Sequence, residues 1–196
     1  MSFGRIFIVS GSHSPESQSS RFAEYIKSRL NVLRISAPDT VCVHDLGSEP
    51  LPLWQNGSVY SRADEVVQAD AVILISPEWH GMATPALKNW FLYMESGWLS
   101  HKPVLLCGVS GGNGGLYPVL ELRSFSFKNF RPNYIPEHLV VKNVESVVCL
   151  REVSDDVSKV RRRIDYVLMT LRAYMVGFES VRKNLPDVSR EFKYGL

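Results

Sequence analysis

At 196 residues, with 45% hydrophobic and 21% charged residues, the chain has the composition of one ordinary soluble domain and the length to bury a two- or three-layer core. A formal net charge of +2 gives no field suited to a dedicated nucleic-acid or membrane-surface binder. Cys42, Cys107 and Cys149 are odd in number, far apart and each in an apolar strand-like run, so they read as small buried hydrophobes of a reducing compartment and not as disulfides or metal ligands.

The first apolar run, Ile6 to Val9, is too short for a secretory signal and follows Gly4 and Arg5. No run approaches the length of a membrane span, so the expected location is cytoplasmic. The run stops at Ser10-Gly11-Ser12, passes through a hydroxyl-rich turn, and gives way to Phe22, Ile26 and Leu30 at helical spacing, with the helix ending near Leu33. A strand, a small-residue loop and a helix in that order offer backbone N–H groups and hydroxyls at a helix N-terminus, which favours an anion, most often a phosphate. Four serines, Ser12, Ser17, Ser19 and Ser20, with His13 among them, exceed what one helix cap needs. The loop lacks the Gly-Lys-Ser/Thr of a Walker loop and the glycine triad of dinucleotide folds.

A second strand is expected over Thr40–Leu46 and a short helix over Ser61–Gln68. The strongest strand, Ala71–Ile75, is continuously apolar, as strands buried on both faces are, and runs into Ser76-Pro77-Glu78-Trp79-His80-Gly81. A helix over 84–97 follows, with Thr84 at the N-cap and Pro85 at the first helical position. Its apolar residues lie on more than one face, as in a helix covered on both sides, either by the chain's own core or by a second subunit. Val104–Val109 is a further strand, ending in Ser110-Gly111-Gly112-Asn113-Gly114-Gly115, with a helix from Leu116 to about Phe127. Pro132 and Pro136 punctuate a connection into a last strand near Leu139–Val141. A long helix capped by Ser154 carries Val157, Val160, Ile164, Val167, Leu168, Leu171 and Met175. Its basic run Lys159–Arg163 follows Asp155 and Asp156 and reads as a solvated or salt-bridged face. The polar stretch Glu179–Leu196 is expected to be a tail, leaving residues 1–178 as the folded domain.

Strands alternating with helices imply a doubly wound α/β fold with five parallel strands, and all three unusual loops follow strands. They should therefore share the carboxyl rim of one sheet, where such folds bind ligands. Gly108-Val109-Ser110-Gly111-Gly112 formally matches the G-x-S-x-G hydrolase elbow. The only histidine after Ser110 is His138, and the acids between them, Glu121 and Glu137, sit in the following helix and beside that histidine. Neither suits a triad, so the glycines read better as permitting close backbone approach. His80 has no second ligand at metal spacing, and His44, His101 and His138 are isolated, so no metal site is expected.

With these loops in place the chain resembles the NADPH-dependent FMN reductase family of flavodoxin-like flavoproteins, which includes azo-, chromate- and quinone-reducing members. The family's G-S-x-R-x-x-S-x-N-x-x-x-A is met by Gly11, Ser12, Ser17 and Ala23, with His13 for the arginine and Ser19 for the asparagine. P-E-Y-N is matched by Pro77-Glu78-Trp79-His80, and the proline-leucine-lysine-asparagine that follows by Pro85-Ala86-Leu87-Lys88-Asn89. The Ser-Gly-Gly then Gly-Gly motif is Ser110 to Gly115. The resemblance implies FMN with its phosphate on Ser12, Ser17 and Ser19, within the loop from Ser10 to Ser20. The isoalloxazine would lie along Pro77, Glu78, Trp79, His80 and Gly81 and be closed by Ser110, Gly111 and Gly112. It implies hydride transfer from NADPH or NADH through FMN to a small-molecule acceptor, with no protein nucleophile or general base. A homodimer or homotetramer is expected, with no nucleic-acid or membrane partner. His13 brings charge to the phosphate only when protonated, so affinity should rise toward lower pH. The competing readings are a flavin carrier without turnover and, last, a Ser110-dependent hydrolase.

Overall fold

The structure is a computed structural model that describes residues 4–125, 128–149, 154–186 and 191. Five strands, β1 (Ile6–Ser10), β2 (Val41–Asp45), β3 (Ala71–Pro77), β4 (Pro103–Val109) and β5 (Asn133–Val141), pair in parallel in the order β2-β1-β3-β4-β5. β1, β3 and β4 are buried almost throughout, which accounts for their uninterrupted apolar sequences. Side chains still alternate between faces. Ile6 and Ile8 join one core with α1 (Gln18–Val32), α5 (Val144–Val148) and α6 (Asp155–Asn184). Phe7 and Val9 join the other with α2 (Ala63–Gln68), α3 (Pro85–Leu92) and α4 (Leu116–Ser124). This is the doubly wound flavodoxin-like topology anticipated from the alternation, with its switch point between β1 and β3.

Five elements differ from the sequence expectation. Instead of continuing to 97, α3 stops at Leu92, because the chain tightens into turns through Met94 and Gly97, the latter at φ +98°. Its two-sided apolar character is answered within the chain. Leu87, Trp90, Phe91, Tyr93 and Met94 are buried, and Tyr60, Trp98 and Phe130 complete the cover, while Leu92 is left exposed. β5 begins at Asn133 and contains Pro136, which a strand at the sheet edge tolerates where the register slips between Val104 and Leu106. The helix begun at Leu116 ends at Ser124, and Ser126 and Phe127 lie outside the described residues. The long helix does not stop before Glu179 but runs on to Asn184, carried by Lys183–Glu179 pairing across one turn and by Arg182. The remainder of the expected tail falls largely outside the described residues. The single turn α5, between Asn143 at φ +46° and Cys149, is too short to leave a periodic signal, and it places Cys149 after a helix and not in a strand. The basic run is salt-bridged and hydrogen-bonded: Lys159 pairs with Asp156, Arg163 with Glu137, and Arg161 donates to the carbonyls of Val147 and Cys149 at the end of α5.

Candidate functional site

The three loops meet on the carboxyl rim. After β1 the chain turns sharply at Gly11, whose N–H donates to the Ile75 carbonyl at 2.8 Å. A Cβ there would meet that carbonyl oxygen at 2.9 Å, Leu87 Cβ at 3.1 Å and Thr84 Oγ1 at 3.2 Å, so only glycine lets the loop tuck between β3 and α3. Thr84, expected to cap α3 with its hydroxyl, donates that hydroxyl to the Gly11 carbonyl instead. Ser12 Oγ, itself buried, accepts from Ser14 N–H at 3.2 Å, and Ser17 Oγ caps α1 by accepting from Ser20 N–H at 3.1 Å. The N–H groups of the first turn of α1 have no partner inside the helix, and its dipole places partial positive charge there. Ser19 is buried in that turn, and Ser10, fully buried, leaves its Oγ without a hydrogen-bond partner. Gln18 Oε1 and, in register with Ser10 across β1 and β2, Asp45 Oδ1 are likewise buried and unpaired.

The β3–α3 loop is a tight hairpin. Trp79 and Met82 exchange backbone hydrogen bonds at 3.3 and 3.1 Å, with His80 (φ +52°) and Gly81 (φ +72°) at its tip. Two positive φ angles in succession define a mirror-image turn of the type that Asn-Gly fits best; here histidine takes the asparagine position. Trp79 stacks on His13 with centroids 5.1 Å apart, and His13 Nε2 accepts from the Ala86 N–H at 3.2 Å. That bond places the imidazole proton on Nδ1 and makes His13 the cap of α3 that Thr84 does not supply.

Glu78 points at the third loop. Its carboxylate accepts from the N–H groups of Gly115 and Tyr117, capping α4 in place of the side chain Gly115 lacks. Gly115 sits at φ +109°, and a Cβ on Gly108 would run into its carbonyl, so the first glycine of the hydrolase-like pattern is needed to seat α4 against β4. Ser110 Oγ accepts from Gly112 N–H at 3.0 Å, and no described residue forms a Ser-His pair with it. A Cβ on Gly81 or Gly111 would meet nothing within 4 Å, so the hairpin tip and the Ser110–Gly112 turn face open space.

Sequence reasoning did not assign the residues that hold this rim to the rest of the fold. Asn89 donates to the Pro52 carbonyl at 2.8 Å and accepts from Trp54 N–H at 2.9 Å, and Tyr93 Oη donates to the Pro52 carbonyl at 2.8 Å. Together they clamp the loop between β2 and α2 onto α3. The Lys88 and Asn89 of the quoted motif were the available signal: Lys88 pairs with Glu121, which also accepts from Ala83 N–H. Beneath the clamped loop His44 is buried, with Nε2 donating to the Glu49 carbonyl at 2.9 Å and Nδ1 accepting from Tyr60 Oη at 2.6 Å. Trp90 Nε1 donates to the same Tyr60 oxygen at 3.0 Å. Burial holds the His44 imidazole below its ordinary pKa, with a smaller raising contribution from its backbone hydrogen bond and a lowering one from Arg62.

A five-stranded flavodoxin-like sheet with a serine-rich loop after β1 and two glycine-bearing loops on the same rim has the architecture of a doubly wound nucleotide-binding α/β protein. Residues 5–146 match the model of the NADPH-dependent FMN reductase family, and the chain belongs to that family. It is 34% identical over 151 residues to an NADPH azoreductase of Bacillus sp. (strain OY1-2), covering 73% of this chain and 82% of that one. It is 29% identical over 127 residues to an FMN-dependent NADPH-azoreductase of Staphylococcus aureus, covering 59% of this chain and 65% of that one. Among solved structures, an oxidoreductase from Corynebacterium diphtheriae shares the fold with a TM-score of 0.67 at 15% identity over 89% of this chain and 98% of that one. General stress protein 14 of Treponema denticola, solved in complex with FMN, shares it with a TM-score of 0.56 at 15% identity, covering 87% and 99%. The protein is thus an FMN-dependent NAD(P)H oxidoreductase.

The rim suits FMN on its own geometry. The first turn of α1 offers backbone N–H groups without partners inside the helix, Gly11 lets the loop before it tuck in closely, and the faces of Gly81 and Gly111 are open, an arrangement compatible with a phosphate and a ring system.

Proposed function

We propose that the phosphate of FMN is held at the N-terminus of α1 by the loop from Ser10 to Ser20, with Ser12, Ser17, Ser19 and the backbone N–H groups as its main donors. The observation that carries this reading is the convergence of three glycine- and serine-bearing loops on one rim beside the N-terminus of α1. Pro77 to Gly81 and Ser110 to Gly112 border the flavin ring, with Trp79 lending an aromatic face and Gly111 and Gly112 allowing close backbone approach. Bound FMN supplies hydride acceptance and donation, so the chain's residues need only bind, orient and exclude water. Glu78 acts here by holding two loops at fixed spacing. His13 lies between Trp79 and Ala86, with its Nε2 taken up by the Ala86 N–H, and so borders the cradle from the α3 side.

The acceptor is a small molecule of azo or quinone type, the azo class being the one the relatives' names carry. The enzyme acts in the cytoplasm as a homodimer or homotetramer. The experiment is direct. Purified protein loaded with FMN should oxidise NADPH in the presence of an azo dye or quinone; bound flavin without turnover for any acceptor would leave only the carrier reading. Ser17→Ala should weaken FMN binding by about tenfold for one lost phosphate contact. Unchanged affinity would move the phosphate elsewhere.

A further inference from the structure

At the opposite, amino-terminal end of the sheet, the residues that lead into β4 and close α6 surround a cavity of about 410 Å3. That volume lies within the range of small-molecule sites. Its wall includes Trp98, Ser100, His101, Lys102, Arg131 and Arg182, and no Asp or Glu is among the described residues that line it. Lys102 is only 6% exposed. Its Nζ donates to the carbonyls of Val66 at 2.6 Å and Val67 at 2.8 Å, at the end of α2, which leaves one of three ammonium protons uncommitted. Arg182 is held loosely: Nη1 donates to the His101 carbonyl at 3.4 Å, and Nη2 stands 3.6 Å from Asp70 Oδ1. The His101 backbone, at φ +57°, is bent so that its N–H reaches the Arg131 carbonyl at 2.8 Å and its own carbonyl faces Arg182.

Positive charge gathers at this cavity, and Asp70, 3.6 Å from Arg182, offsets part of it. Burial is the main influence on the titration of two of its lining side chains. Burial, and then Arg182, push Lys102 down to about 8, with Asp70 offsetting part of the effect. His101 is held below its ordinary value by burial and by Arg131 and Arg182, so it faces the cavity as a neutral imidazole with a donor and an acceptor.

We propose that this cavity is a second binding site, for a phosphate-type oxyanion, held by Lys102, Arg131 and Arg182 about 20 Å from the flavin rim along the strands. Arginine forks match tetrahedral oxyanions by paired donors, and the buried ammonium adds a point charge. The cavity exceeds a bare phosphate in size, so the anion is either inorganic phosphate or the phosphoryl end of a small metabolite.

The test titrates protein already loaded with FMN and freed of excess, so that the rim cradle is filled. Calorimetry with inorganic phosphate, and separately with a nucleoside monophosphate, should show one saturable site. Tighter binding of phosphate identifies the free ion; tighter binding of the monophosphate identifies a phosphoryl-bearing ligand. Arg182→Gln, on a partly exposed side chain, should weaken binding by about tenfold or more while leaving bound FMN unchanged. Lys102→Met should abolish it if the variant folds. Above pH 8, wild-type binding should take up a proton as the anion restores Lys102 to its charged form, a signature absent in Lys102→Met. No saturable binding of either probe, or binding indifferent to Arg182→Gln, overturns the assignment.

Discussion

The two ends of the sheet solve the same electrostatic problem in different ways. At the carboxyl rim the polar groups gathered around the loop after β1 are chiefly hydroxyls, backbone N–H groups and a helix terminus, and Glu78 is turned inward to cap α4. At the amino end the cavity wall carries the full charges of Lys102, Arg131 and Arg182, with Lys102 and Arg182 bonded to backbone carbonyls. Neutral donors can be aligned at little desolvation cost, so the rim can stand open to solvent and exchange ligands. Fixed charges at low exposure are expensive, so that end has to be tied down by the fold.

Substitutions can break or sharpen that contrast. The largest effect is expected at Gly108, where a side chain would displace Gly115 and with it the start of α4. Gly108→Ala should cost on the order of 3 kcal/mol in urea unfolding and release FMN, whereas a change below about 0.5 kcal/mol would show that the close approach is not needed. Glu78→Ala should follow at about 1.5–3 kcal/mol, because two helix-terminal N–H groups lose a charged acceptor. It should also loosen the rim, read as weaker FMN binding; a loss of stability with unchanged FMN affinity would confine Glu78 to the fold.

The amino end is separated from the rim by its pH dependence. Lys102 has its folded-state pKa near 8, below the value of a free lysine, so between those limits the unfolded chain holds a proton that the native chain has released. Wild-type stability should therefore rise from pH 8 upward relative to Lys102→Met and fall back as pH drops through 8. Parallel curves would refute the depressed lysine. His44 has the same sign at lower pH. Its folded pKa lies below the ordinary value, so the stability it confers is present above that ordinary value and is lost as pH falls through the lowered one. Melting temperatures measured downward from neutral pH should drop less steeply in His44→Gln than in wild type. The smallest change is a gain. His80→Asn should stabilise the hairpin by about 0.5–1 kcal/mol, since asparagine accepts positive φ more readily, and a loss instead would mean the imidazole has a partner worth more than the turn preference.

Much of this molecule was readable because its central strands are buried on both faces and write themselves as Ile6–Val9, Ala71–Ile75 and Val104–Val109. The loops were readable for a related reason: glycine and serine clusters directly after buried strands have few other uses. Individual roles were harder to read. Thr84 has the sequence of an N-cap and the geometry of a tether to Gly11, a difference set by a contact 73 residues away. Glu78 stands in a motif associated with the flavin ring, and its Oε2 accepts from two N–H groups at the start of α4. The clamp made by Asn89 and Tyr93, and the His44–Tyr60–Trp90 network, join residues from separate elements and leave no local pattern. Pro136 misled because proline argues against a strand except at an edge, and which strand is the edge is a property of the whole sheet.

The length of α6 sets a division of labour along one rod. Its 30 residues reach about 45 Å, roughly twice the span of the seven-residue β4 it accompanies. The helix opens at Ser154 and overshoots the far edge of the sheet, and that overshoot delivers Arg182 to the amino-end cavity. A chain ending at Phe178 would keep every residue named at the flavin rim and lose Arg182, Leu185 and Pro186 from the cavity wall. One cut in a single helix would then strip the amino-end cavity of part of its wall and leave the rim and both cores in place.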